Sequence, residues 1–199
     1  MTRVVLTGVS GAFGTDLAAA LVARGLAVDD SFAAGTPDAA VVVIGPPTHS
    51  SARALVDLDA GEWRASVDDV IAAAMGSLQA AYAALSPDGG SIVVVTPTIA
   101  FAGAAGLVPY VTAVEGVRAM AKSAARQWAA DGVTVNVVAV PIAALAPDVA
   151  SLTHLPAPAL GSVDVVAAAA ASIAFLIAEA SAGITGATVV ADGGSVMTP

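Results

Sequence analysis

Apolar residues gather in short runs rich in β-branched side chains: Val4-Val5-Leu6, Val41-Val42-Val43-Ile44, Ile92-Val93-Val94-Val95, Val133 to Val138 and Ala187 to Val190. Runs of this length with little polar alternation read as strands buried on both faces. A sixth, shorter strand is expected near Ala27 to Asp30. Between the runs, longer segments carry helical spacing over Thr15 to Ala23, Ser51 to Leu58, Glu62 to Leu85, Pro109 to Asp131 and Val163 to Glu179. Gly132 marks the end of the fourth of these. Alternating strands and helices predict an α/β fold, a doubly wound parallel sheet covered by helices on both sides.

The spacing is tight near the amino end. The 31 positions from Gly14 to Gly45 hold one helix, the short strand, a turn and the next strand. A further helix-strand-helix does not fit, because a βαβ unit alone takes about 30 residues. The sheet is therefore expected to be shortened by loss of the helix-strand-helix region after its second strand. Two segments rich in glycine or proline, Ser31 to Asp38 and Pro141 to Gly161, break the rhythm without reading as interdomain linkers, and no internal repeat is present.

The chain has 199 residues, 57% hydrophobic and 12% charged, which suits one domain over residues 1–199 with a large core. A net charge of −9 disfavours nucleic acid and anionic membranes as partners. The absence of cysteine removes disulfides and thiolate chemistry, and with two histidines, His49 and His154, no metal site is expected. The apolar run after Met-Thr-Arg is too short for a signal sequence, so a cytoplasmic protein is expected. The longest apolar run, between Asp164 and Glu179, is shorter than the roughly 20 residues that span a bilayer. It reads as a core or interface helix and makes an oligomer an expectation.

After the first strand comes Thr7-Gly8-Val9-Ser10-Gly11-Ala12-Phe13-Gly14, opening a helix. In that context glycines let backbone N–H groups approach a pyrophosphate. Gly8, Ser10, Gly11, Phe13 and Gly14 are the candidate cofactor contacts. Asp29 or Asp30 stands where an acidic side chain accepts from a ribose hydroxyl, which points to NAD(H) over its 2′-phosphate form; both also read as solvated turn residues.

The stretch from Tyr110 through Val114 to Lys122, continuing to Asp131-Gly132-Val-Thr-Val-Asn136, resembles the Tyr-x-x-x-Lys helix and Val-Asn strand of short-chain dehydrogenase/reductases (SDRs). The glycine turn and the ending Ile184-Thr-Gly186 to Asp192-Gly193-Gly194 are similar to that family too. The resemblance implies a Rossmann-like fold, NAD(P)-dependent carbonyl or hydroxyl chemistry, a variable substrate loop at 142–161 and subunit association. It also implies that Tyr110 is the proton-transfer residue, assisted by a serine and by a lysine that lowers the phenol pKa. Here the lysine position is Val114 and the serine position is Pro97, with Thr98 beside it as a substitute hydroxyl. The family's helix asparagine falls near Ala73, and its Asn-Asn-Ala-Gly strand end looks like Ile44-Gly45-Pro46-Pro47. Lys122, the chain's only lysine, lies about 18 Å along the helix from Tyr110. Arg118 reads as a surface residue. His49, just beyond a strand's carboxyl end, is the candidate for replacement chemistry and equally a loop residue bonding nearby backbone.

Three readings follow. The first is a catalytically incomplete SDR homologue, a non-catalytic subunit associating with itself or with an intact SDR, with NAD(H) bound weakly or not at all. The second is an active NAD(P)-dependent oxidoreductase using Tyr110 with Thr98 or His49. The third is a binding protein that closes 142–161 over a small hydrophobic ligand.

Overall fold

The computed structural model describes residues 1–8, 11–46, 52–150 and 155–197. Six strands form one parallel sheet: β1 (Arg3–Thr7), β2 (Ala27–Asp29), β3 (Ala39–Val43), β4 (Gly90–Pro97), β5 (Val133–Val140) and β6 (Thr188–Val190). Their order across the sheet is β2-β1-β3-β4-β5-β6, all parallel. The chain winds outward one way from β1 to β2 and the other way from β3 to β6. The switch point lies between β1 and β3, where ligands bind in doubly wound sheets. β2 is an edge strand, and residues 30–38 lead from it to β3 with only a 3-10 turn at Phe32–Ala34.

Strand periodicity sorts the core into two layers. Ala39, Val41, Val43, Val93, Val95, Val138 and Val140 face helices α1 (Ala12–Val22) and α8 (Val165–Leu176). Ala40, Val42, Ile44, Ile92, Val94, Val133, Val135 and Val137 face α3 (Asp69–Leu85) and α5 (Val108–Trp128). The helices answer with 3.6-residue spacing: α3 buries Ala74, Leu78, Ala81 and Leu85, and α8 buries Ala169, Ala170, Ile173 and Leu176. Alanine dominates these faces, which lets the helices lie close to the sheet.

All six expected strands form, and Gly132 ends the α5 region in a left-handed conformation. Two expectations are corrected. No α-helix spans Ser51 to Leu58: Ser51 lies outside the described residues, and the remainder holds a 3-10 turn at Leu55–Asp57. Leu55 and Val56 are 57% and 90% exposed, so no apolar face anchors a helix there. The helix expected from Glu62 starts earlier, as α2 (Ala60–Trp63), and runs into α3 through a π-helical turn at Arg64–Asp68. Asp59 sets that start: its Oδ1 accepts from the Gly61 and Glu62 amides at 2.7 and 2.9 Å, and the Glu62 carboxylate accepts from the Asp59 amide. The 141–161 segment includes two single-turn helices, α6 (Ile142–Leu145) and α7 (Pro147–Ala150). The remaining short helix is α4 (Ile99–Ala102), directly after β4. Among the described residues no helix is long and apolar enough to cross a membrane.

β6 is short, and a side chain ties its approach to the sheet. Asn136, 1% exposed, donates from Nδ2 to the Ile184 carbonyl at 2.8 Å and accepts at Oδ1 from the Ala187 amide at 3.0 Å. Asn136→Ala strands both backbone groups and is expected to cost about 2–4 kcal/mol, read by urea denaturation.

Candidate functional site

The glycine turn is built by close approach. Gly8 has φ +75°, and a Cβ there would stand 2.2 Å from the Val43 carbonyl oxygen, so any side chain would push β1 and β3 apart. Gly11, with φ +87°, caps α1 without a side-chain hydrogen bond, and a Cβ placed on it meets nothing within 4 Å. Among the described residues nothing covers the amino end of α1 and no side chain caps its first N–H groups, an arrangement that fits a pyrophosphate. Phe13 and Gly14 point the other way: both are buried, and Phe13 packs in the α1/α8 layer. They hold the turn in place. Ser10 lies outside the described residues.

The adenosine side fits less well. The Asp29 carboxylate, at the end of edge strand β2, accepts from Arg3 Nε at 2.6 Å. Arg3 was not singled out in the sequence, because nothing in the local pattern shows that β1 and β2 bring the two together in register. Gly35 lies against the same guanidinium, where a Cβ would come within 2.5 Å of Nη1. Asp30 is exposed. The short link from β2 to β3 leaves no further strand outside β2 among the described residues.

Beyond the ends of β1 and β3 lies a cavity of about 320 Å³, lined by Gly8, Ile44, Gly45, Pro46, Asp69 and Ser77 among others. It occupies the switch-point crevice. Ala73, the position of the family's helix asparagine, also lines it and contributes no hydrogen-bonding side chain. Asp69 and Ser77, eight residues apart on one face of α3, are its polar side chains; sequence reasoning missed them because only the packing of α3 on the sheet turns that face toward the crevice. His49 and His154 lie outside the described residues.

Tyr110 stands in the first turn of α5 and is 2% exposed. It packs in an apolar cluster with Ile99, Ala100, Leu107, Val114, Ile142 and Ala146. Its hydroxyl has no hydrogen-bond partner among the described residues, and burial pushes the phenol pKa well above its ordinary value. Val114, one turn further on, is fully buried. Thr98 is also fully buried, its hydroxyl without a partner among the described residues, while its amide donates to the Val140 carbonyl at 2.8 Å. Pro97 ends β4 opposite Val140. The structure thus brings Tyr110, Val114 and the β4 end together at the carboxyl edge of the sheet. The glycine turn lies on the same edge, about 10 Å away across β3.

Arg118 is not the simple surface residue its sequence suggests. Its side chain is 24% exposed, stacks over Phe101 with Cζ 5.3 Å from the ring centroid, and holds both Glu115 carboxylate oxygens. Lys122 is exposed. Among the described residues no group of three or more His, Cys, Asp or Glu is placed to hold a metal.

The family model described as enoyl-(acyl carrier protein) reductase matches residues 18–196. The chain belongs to the short-chain dehydrogenase/reductase family. The match takes in Tyr110, Val114, Asn136 and Asp192 and begins after the glycine turn. Among solved structures, a protein described as a dehalogenation enzyme is 21% identical over 98% of both chains, with a TM-score of 0.78. An SDR-family oxidoreductase from Burkholderia thailandensis is 23% identical over 98% of this chain and 92% of that one, with a TM-score of 0.77. At these identities the likeness is one of fold. The search of curated proteins returned no match.

SDR proteins generally bind NAD(P)H. In this member the α1 amino end fits the cofactor's pyrophosphate, whereas among the described residues no cation lies in the Tyr110 cluster. The family's glycine-rich ending does a structural job: buried Asp192 accepts from the Gly194, Ser195 and Val196 amides at 2.8, 3.2 and 2.8 Å, closing the turn after β6.

Tyr110→Phe removes a buried hydroxyl that has no partner among the described residues. It is expected to leave stability unchanged or raise it by about 1 kcal/mol, whereas a hydroxyl held in a polar network would cost about that much to delete. Urea denaturation of the two proteins decides.

Proposed function

We propose that this SDR-family chain is a non-catalytic subunit that assembles with itself or with an intact SDR oxidoreductase. The observation that carries the reading is Tyr110: buried in an apolar cluster, unpartnered, with valine one turn on and its pKa raised. General acid–base catalysis near neutral pH needs the opposite shift, a phenol brought down toward the working pH by a nearby cation. In this reading NAD(H) binds weakly or not at all, since Asp29 is engaged by Arg3 and β2 is the sheet edge.

The surface of α3 supports the assembly half of the reading. After Asp69 the helix carries no charged residue through Leu85, and Ala72, Met75, Gly76, Gln79, Ala80 and Ala83 face outward. A solvent-facing helix ordinarily carries charge on its outer face. Small side chains along this one let a second helix approach closely.

Two experiments test the reading. The pure protein, offered NADH or NADPH with a panel of ketones, is expected to show no turnover; reproducible reduction that Tyr110→Phe abolishes would overturn the non-catalytic half. Native mass spectrometry of the gently isolated protein is expected to give a homo- or mixed oligomer. A Cβ on Gly76 meets nothing within 4 Å among the described residues, so Gly76→Glu should fold normally yet shift the mass toward a single chain. An unchanged oligomer mass would exclude α3 as the interface.

A second reading rests on the open amino end of α1, which supports nucleotide binding and with it an active enzyme using a rearranged site. One nucleotide retained per chain, together with turnover, would favour it.

A further inference from the structure

On the α3/α5 side of the sheet, near the free edge at β6, lies a recess of about 530 Å³. Phe101, Glu115, Arg118, Lys122 and Thr188 line it, with Ala100 and Gly186 completing the wall. Glu115, Arg118 and Lys122 recur at helical spacing, so α5 presents all three on one side. The chain has only seven basic residues and a net charge of −9, yet this recess has a formal excess of one positive charge.

The cations are prepared differently. Arg118 is held on two sides, by the Phe101 ring and by the Glu115 carboxylate, which takes Nε at 2.9 and 3.1 Å and also Nη2. That leaves Nη1 with no partner among the described residues and with its direction already set. Lys122 is exposed and has no partner among the described residues, so it is free to swing over the opening. At the edge strand Thr188 lines the recess, its own hydroxyl buried and without a hydrogen-bond partner among the described residues.

We propose that this recess is a binding site for the carboxylate or phosphate group of a small molecule. Lys122 supplies the main charge and Arg118 Nη1 a fixed pair of donors. Fixed donors around one anionic group bind more tightly than mobile ones because less freedom is lost on binding. The site is separate from the glycine turn and independent of the reading given to Tyr110. Ala100 lines the recess and also packs in the Tyr110 cluster, so an occupant touches the short helix that covers the tyrosine.

Calorimetric titration of the full chain with inorganic phosphate and, separately, with benzoate tests the site at low ionic strength. Saturable binding of at least one is expected, weakened about tenfold or more by Lys122→Ala. The two probes distinguish a phosphate from a carboxylate ligand. Lys122 is exposed, so its variant is expected to fold, and circular dichroism checks this. Binding that Lys122→Ala leaves unchanged would put the anion elsewhere, with the α1 amino end the first place to look, and would overturn the proposal. So would an absence of saturable binding, or a Lys122→Ala effect confined to oligomer mass, which would make the recess a subunit interface.

Discussion

Strands β3, β4 and β5 have nearly all their side chains withdrawn from water on both faces, and a parallel ladder so placed needs helices above and below it. Two helices meet that demand on each side: α1 and α8 cover one face, α3 and α5 the other. Polar chemistry is left to the strand ends, where the backbone turns and glycines permit close approach. Gly8 against the Val43 carbonyl is the sharpest case, because the β1–β3 spacing itself depends on a missing side chain.

The same constraint explains the state of Tyr110. The first turn of α5 packs on α4 and α6 at the carboxyl edge, and an aromatic side chain there either faces a polar cleft or completes the packing. With valine one turn on, the surroundings are aliphatic and the phenol is absorbed into them. Thr98, from the end of β4, meets a similar fate. Both are buried hydroxyls without hydrogen-bond partners among the described residues, an uncommon state inside a protein.

Charge is distributed with comparable economy. Arg3 and Asp29 tie β1 to the edge strand β2, and Asp59 and Glu62 set the start of α2. Glu115 and Phe101 orient Arg118 at the opposite edge of the sheet. Arg3–Asp29 joins two neighbouring strands and Glu115–Arg118 lies within one helix; both hold geometry more than they add stability, as partly exposed ion pairs usually do.

Fold class, strand number and the positions of the long helices were legible in the residues alone, because buried strands and amphipathic helices differ in period and a βαβ chain has few ways to wind. The departures at Val114 and Pro97 were equally legible, since they are identities at fixed spacing from Tyr110 and Asn136. Sequence alone misjudged 51–58, where apolar residues suggested a helix but have nothing to pack on. Only the tertiary structure decided that Asp29 belongs to Arg3, that Arg118 is held over Phe101, and that Asp69 and Ser77 share a crevice with Gly8. Each of those relations joins residues far apart in the chain, through strand register or helix rotation, and a one-residue slip in either would undo them.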